Sequence, residues 1–307
     1  MKKALVTGGA GYKGTLLVEE LLKAGLEVTL LDNFMYGYEP ALFFSNNPNC
    51  HILNLDIRNI KESDLKEYDI VYHLAGISGY PACEANPHSA HTINVASTQR
   101  IKDALSKQQI LVYASTTSMY GKTQSECFET TEPAPTSLYG MTKYEAEKIC
   151  MEHPNGIAFR FATLFGVSYK MRSDLLLNDF THRAVTDRTL VLFDSGSVRT
   201  FLHVKDAIHA YAMVLDHAEA MAGEVYNVGD NNMNYSKLDC AQKIKEYVPH
   251  LDIIQSKLND LDERNFVINF DKLNKFGFKP TVSMDEGIKE MVKLYKWFHP
   301  NKPFNTI

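Results

Sequence analysis

Residues 7–14 read Thr-Gly-Gly-Ala-Gly-Tyr-Lys-Gly, between an apolar run, Ala4–Thr7, and a helical pattern that opens at Leu16. A strand, a glycine-rich turn and a helix in that order leave few folds open to the chain. Gly8 and Gly11 take turn geometry closed to other residues and let backbone approach a pyrophosphate, while Gly14 permits close packing of helix on strand. Free N–H groups at the helix start then face the anion. The turn is expected to bind a dinucleotide if strands on either side support it.

Such strands recur. Val28–Leu31, Ile70–Leu74, Ile110–Ala114 and Ile157–Phe161 are short apolar runs bounded by turn residues, the pattern of strands buried on both faces of a parallel sheet. Helical patterns lie between them. In the first, Leu16, Leu17, Glu20, Leu21 and Ala24 repeat at three and four, and Gly25 stands where a helix stops. The alternation predicts an α/β fold with a doubly wound parallel sheet. Beyond Phe165 the pattern loosens, with a strand-like run at Leu190–Phe193, a helical one at Val204–Leu215 and mixed short elements from Tyr226 onward. We expect residues 1–165 to form the dinucleotide-binding domain, with 195–225 returning to it, and 166–194 with 226–307 to form a smaller C-terminal α/β substrate lobe.

A net charge of −5 with 45% hydrophobic and 22% charged residues is ordinary globular composition. It offers no general attraction for nucleic acid or an anionic membrane. The five cysteines are odd in number, scattered and never in a C-x-x-C pair, which argues against a disulfide framework or thiolate zinc site and for a reducing compartment. After Met1, Lys2 and Lys3 the apolar run breaks at Gly8, too soon for an export or membrane segment, so a cytoplasmic location is expected. His88 and His91 have no third ligand or carboxylate at metal spacing, and no metal is expected.

Asp32 follows the second strand, eighteen residues beyond Gly14. A carboxylate there accepts hydrogen bonds from the adenosine ribose and repels a 2′-phosphate, which favours NAD over NADP. Lys13 is unusual beside a coenzyme, and either adds a cation near the phosphates or snorkels to solvent. Asp56 either contacts the adenine or serves as a capping or surface carboxylate. Tyr139 and Lys143 are four apart in a helix-compatible run and so share a face. A nearby ammonium and an oxidised nicotinamide favour a phenolate, which makes Tyr139 a candidate base. Thr116, just past the strand Ile110–Tyr113, offers a hydroxyl at a strand's carboxyl end, where ligands of open α/β sheets bind.

The glycine turn, Asp32-Asn33, His73-Leu74-Ala75-Gly76, Asn94-Val95, Ser115-Thr116, Tyr139-Gly140-Met141-Thr142-Lys143 and Phe159-Arg160-Phe161 together resemble the extended short-chain dehydrogenase/reductases, in particular the nucleotide-sugar epimerases and dehydratases. The resemblance covers nearly the whole chain. It implies a Rossmann-type sheet with NAD held by Gly8, Gly11, Tyr12, Lys13, Gly14, Asp32, Asn33, Asp56, Ile57, Leu74, Ala75, Gly76 and Asn94, and by Tyr139 and Lys143. Tyr139 is then the base, Lys143 lies on the nicotinamide ribose, and Thr116 positions the sugar. The substrate implied is a nucleotide-diphosphate sugar, and a homodimer is expected through the runs Ser89–Leu105 and Ser137–Met151.

All these enzymes begin by oxidising a sugar hydroxyl, usually at C4. Relatives that dehydrate or decarboxylate place an acidic residue just after the active threonine, where this chain has Thr117 and Ser118. Reductases resembling GDP-fucose synthase carry a cysteine near the active serine and prefer NADPH. Cys127 is too far along the chain for that, and Asp32 opposes NADPH. An NAD-dependent 4-epimerase or net 4-dehydrogenase is the expectation; a dehydratase or reductase of the same family, or a non-catalytic NAD-binding regulator, is the alternative. The segment Phe159–Phe180 resembles epimerase-like proteins of bacterial polysaccharide clusters, including GDP-mannoheptose C4 dehydrogenases, from which Ala114-Ser115 and Met119 depart. Phosphate contacts are implied at Asn178, Arg199 and Arg264. Arg172 is added from local chemistry, with a surface ion pair as its other reading. Ser78, Gly79, Tyr80 and Thr117 are candidate lining for the sugar pocket.

Overall fold

The apolar runs become strands, and the computed structural model describes them within residues 2–121, 126–256 and 267–300. In chain order the strands are β1 Lys3–Thr7, β2 Glu27–Asp32, β3 Cys50–Asn54, β4 Ile70–His73, β5 Ile110–Thr116, β6 Gly156–Phe161, β7 Thr163–Phe165, β8 Thr189–Leu192, β9 Val198–His203, β10 Glu224–Val228, β11 Asn234–Ser236 and β12 Asp252–Gln255. Seven form one sheet in the order β10-β6-β5-β4-β1-β2-β3, and every pairing in it is parallel. This is the doubly wound Rossmann-type arrangement, with its reversal of strand order between β1 and β4.

Alternation along each strand splits the core in two. Val6, Leu17, Leu30 and Tyr211 pack on one face, and Leu5, Leu31, Val71 and Tyr113 on the other. Each such aliphatic side chain contributes about 1.5–3 kcal/mol by leaving water. The helix Gly14–Lys23 covers the first face and stops where Gly25 takes φ +83°, a conformation open to glycine at little cost. The helix Leu138–Met151 covers the second, its first turn capped by Ser137 Oγ accepting the Gly140 N–H at 3.1 Å.

The run Ser89–Leu105 is helical but not uniformly so: Pro87–His91 leads into a π-helical turn, Thr92–Ala96, and then into Ser97–Ala104. Strand β3 was not evident in the sequence. It is an edge strand, and its five residues are all partly or fully exposed, so it lacks the continuous apolar run that marks its neighbours.

The lobe has its own core around Leu177, Phe201 and Ile288, enclosed by helices Leu176–Thr186, Lys237–Tyr247 and Met284–Tyr295. Capping boxes start two of them, Ser236 with Asp239 and Ser283 with Glu286. Its strands are β11-β9-β7 in one sheet and β12-β8 in another. Residues 224–228, as β10, stand at the edge of the main sheet, whereas β9 stands in the small one. The segments 195–225 and 226–307 are therefore each shared between the two layers. Among the described residues no helix is long and apolar enough to cross a membrane.

Candidate active site

The reversal of strand order brings the glycine turn after β1 against the His73–Gly76 turn after β4. Gly8 sits at φ +69°, and a Cβ there would lie 2.8 Å from the Ala75 nitrogen; a Cβ on Gly14 would lie 2.1 Å from the Gly8 carbonyl oxygen. Neither position tolerates a side chain. Gly11 would meet only the Gly8 oxygen, at 3.1 Å, which leaves the turn open on the side a pyrophosphate would take. The Ala75 N–H donates to Thr7 Oγ1 at 3.2 Å and the Leu74 N–H to the Thr7 carbonyl at 3.1 Å. Thr7 in turn meets His73 Nδ1 at 2.8 Å, and His73 Nε2 meets Thr98 at 3.0 Å. Burial pushes His73 down to about 3, so this buried link is neutral.

Asp32 closes the far side of the turn. Its carboxylate accepts the Ala10 N–H at 3.1 Å and the Phe34 N–H at 2.9 Å, and burial raises its pKa despite these bonds. Asn33 Oδ1 accepts the Met35 N–H. Asp56 caps the turn Ile57–Asn59 by accepting the Arg58 N–H at 2.9 Å, and pairs with the Arg58 guanidinium at 2.6 Å. Its carboxylate is thus committed to a cap and an ion pair, while Ile57 is buried beside it. Asn94 lies in the π-helical turn. It accepts the Ile77 N–H at 2.8 Å and donates to the Ile77 carbonyl at 3.0 Å and to Thr142 Oγ1 at 3.1 Å. With both amide hydrogens spent, Asn94 braces the loop beside Gly76 instead of offering a donor to a ligand.

Thr116 ends β5, in register with Phe161 at the end of β6. Its hydroxyl donates to Ser118 Oγ at 3.1 Å. Thr117, expected to line the sugar pocket, opens the short 3-10 turn Thr117–Tyr120 and donates to the Phe161 carbonyl at 3.1 Å. Ser118 is the hydroxyl that joins Thr116.

Tyr139 and Lys143 stand one turn apart in Leu138–Met151. Lys143 is buried with its Nζ 4.1 Å from the centre of the Tyr113 ring. Burial pushes its amine down to about 7, against the opposing charges of Cys83, Glu147 and Cys150. One turn further on, Glu147 is a buried carboxylate that accepts from Ser115 Oγ at 2.6 Å and from Arg160 Nη2 at 2.6 Å. Arg160 also donates to Tyr120 Oη at 2.8 Å. This network anchors β5 and β6 behind the reactive side chains. Its members Glu147 and Tyr120 were not among the expected site residues, although Glu147 continues the Tyr139, Lys143 spacing.

Tyr12 Oη donates to the Gly166 carbonyl at 2.7 Å, tying the turn to the lobe. Lys13 turns inward. Its Nζ lies 3.3 Å from Tyr211 Oη and 4.3 Å from the centre of the Phe161 ring, so the side chain runs inward along the carboxyl edge of the sheet. Arg172 pairs with Asp174 at 2.6 Å, and its Nη2 is 3.8 Å from where a Gly79 Cβ would be. The ion pair therefore borders the Ser78–Tyr80 loop, with Tyr80 partly exposed. Asn178 is fully buried, accepting the Gly166 N–H at 3.0 Å and donating to the Arg172 carbonyl at 2.9 Å. Arg199 is buried on β9 and donates to Ser197 Oγ at 2.8 Å. Arg264 lies outside the described residues.

The family model for the NAD dependent epimerase/dehydratase family matches residues 4–229. Among curated proteins the chain is 30% identical to the uncharacterized UDP-glucose epimerase YtcB of Bacillus subtilis (strain 168), over 74% of this chain and 76% of that one. It is 28% identical to a UDP-N-acetyl-alpha-D-glucosaminuronate decarboxylase of Bacillus cytotoxicus, over 97% and 98%. Among solved structures it is similar to the UDP-glucuronic acid 4-epimerase of Bacillus cereus in complex with UDP-glucuronic acid and NAD, with TM-score 0.86 and 26% identity over 96% of this chain and 99% of that one. From the glycine turn at its first strand to the seventh strand of its main sheet, this chain belongs to the NAD dependent epimerase/dehydratase family.

Proposed function

We propose that this protein oxidises C4 of a nucleotide-activated sugar with NAD, as a 4-epimerase or a net 4-dehydrogenase serving bacterial surface-polysaccharide sugars. One observation carries the reading. Tyr139 and Lys143 stand one turn apart in Leu138–Met151 and Thr116 ends β5, while residues 117 and 118 bring hydroxyls where a dehydratase or decarboxylase needs a carboxylate. Supporting it, a likeness to a 4-epimerase extends over nearly the full chain.

NAD supplies a hydride acceptor. Thr116, held by Ser118, is suited to fix the sugar hydroxyl. Tyr139 then takes its proton as C4 becomes a ketone. Lys143, on the same helix face, provides the adjacent positive charge that favours the phenolate. Arg172 with Asp174, Ser78, Gly79 and Tyr80 border the space on the sugar side. Asn178 and Arg199 belong to the phosphate side in this reading, although the protein itself uses both side chains of that pair to hold the lobe. Return of hydride to the opposite face gives the epimer, and release of the ketone gives the net dehydrogenase. A homodimer is proposed through Leu138–Met151 and its neighbour Ser97–Ala104, where Met141 stands exposed.

The test is a panel of UDP-, GDP-, CDP- and dTDP-sugars incubated with NAD-loaded protein, followed for inversion at C4, ketone formation and NADH absorbance. Turnover at C4 supports the proposal; a folded, NAD-loaded protein inert to the whole panel, or one that releases a 4-keto-6-deoxy product, overturns it.

A further inference from the structure

Lys13 is the residue that the fold and the chemistry so far leave without a role. It lies at the start of the helix Gly14–Lys23, and its side chain turns away from Asp32 on β2 toward Phe161 at the end of β6. Asp32 marks the adenosine end of a dinucleotide laid across the strand ends. Lys13 accordingly points to the nicotinamide end, where Thr116 stands in register with Phe161. It arrives with Phe161 and Tyr211, which belong to one face of the sheet, whereas Lys143 lies over Tyr113, which belongs to the other. Two amines thus flank the carboxyl edge from opposite faces. Among the described residues no carboxylate forms an ion pair with Lys13; its partners are a phenol and the faces of two rings.

We infer that Lys13 tunes the coenzyme: its charge, held at the nicotinamide end, favours the neutral reduced ring over the cationic oxidised ring and makes bound NAD a stronger hydride acceptor. When the hydride leaves C4 with its two electrons and the hydroxyl proton passes to Tyr139, the nicotinamide ring loses its positive charge. A fixed cation beside it lowers the free energy of that change. In the coenzyme-free protein, burial and the charges of Lys143 and Arg172 push the Lys13 amine well below its ordinary range. Dinucleotide phosphates bound at the adjacent helix start would act the other way and favour its charged form. The Phe161 and Tyr211 rings stabilise the ammonium where water is scarce.

The inference rests on NAD binding and not on which sugar is oxidised, so it is tested without substrate. Protein is equilibrated with NAD and NADH in mixtures of set ratio, separated from free nucleotide, and the bound coenzyme is extracted and counted. Lys13→Met is expected to lower the bound NADH-to-NAD ratio by about tenfold relative to the unaltered protein, whereas Lys13→Arg, which keeps the charge, stays within about twofold. Should Lys13→Met fail to hold coenzyme, Lys13→Gln gives the same reading with a polar side chain. A ratio unchanged in both neutral variants, or shifted toward NADH, overturns the inference.

Discussion

Replacing Glu147 by glutamine removes the negative charge from a pair that is almost fully buried, with 3% and 5% of the Glu147 and Arg160 side chains exposed. Arg160 keeps the Tyr120 hydroxyl at 2.8 Å and the Glu129 carbonyl at 3.1 Å, but its guanidinium is left without a counter-charge. Breaking one partner of a buried pair costs about 3–5 kcal/mol, which for a chain this long corresponds to a fall in Tm of roughly 5–8 °C. Thermal unfolding of the coenzyme-free protein, with urea unfolding as a second measure, reads the loss. The double change Glu147→Met with Arg160→Met removes both charges and is expected to recover most of it, because apolar groups of similar volume satisfy the same space. A second consequence reaches the site. Glu147 is one of the charges that hold the Lys143 amine up against burial, so the alkaline limb of the Glu147→Gln rate profile is expected at lower pH. A single variant that loses less than about 1 kcal/mol, or a double variant no more stable than the single, would refute the reasoning.

Tyr139→Phe is expected to keep the fold and the bound NAD while turnover falls by about 10²–10⁴-fold, as read by sugar conversion alongside coenzyme content. Gly14→Ala would drive a Cβ to within 2.1 Å of the Gly8 oxygen; loss of NAD retention with a lowered Tm is the expected result, measured by coenzyme release and melting. Lys143 has a folded pKa of about 7 against an ordinary 10.5. The unfolded chain therefore binds a proton that the coenzyme-free folded protein lacks between those values, and stability rises with pH across that window. Lys143→Met is accordingly expected to exceed the unaltered protein by a few kcal/mol below about pH 7, with the advantage fading as pH rises toward 10.5, in paired urea titrations.

The parallel sheet was legible because its central strands are buried on both faces and read as unbroken apolar runs. The glycine turn was legible because Gly8 and Gly14 leave no room for a side chain. Strand β3 was not, since an exposed edge strand carries no such run. The candidate site follows the same division. Tyr139 and Lys143 are fixed by helical spacing, and Thr116 by its place at a strand end. The local sequence shows a row of hydroxyls but not which partner each one reaches; the structure brings Ser118 to Thr116 and Thr117 to the Phe161 carbonyl. Asp56 was open between two roles until Arg58 was seen to occupy its carboxylate. The course of Lys13 depends on Phe161 and Tyr211, residues far along the chain that only the closed sheet and its helices bring to the turn.

The central claim is that hydride leaves C4 of a nucleotide sugar as Tyr139 takes the hydroxyl proton. A nucleotide sugar deuterated at C4, turned over on the NAD-loaded protein and quenched early, tests it most directly by mass spectrometry of coenzyme and sugar together. The account predicts deuterium on the nicotinamide of the bound coenzyme, absent from the Tyr139→Phe variant. Product formed with all its deuterium still on C4 and none ever reaching the coenzyme would contradict it.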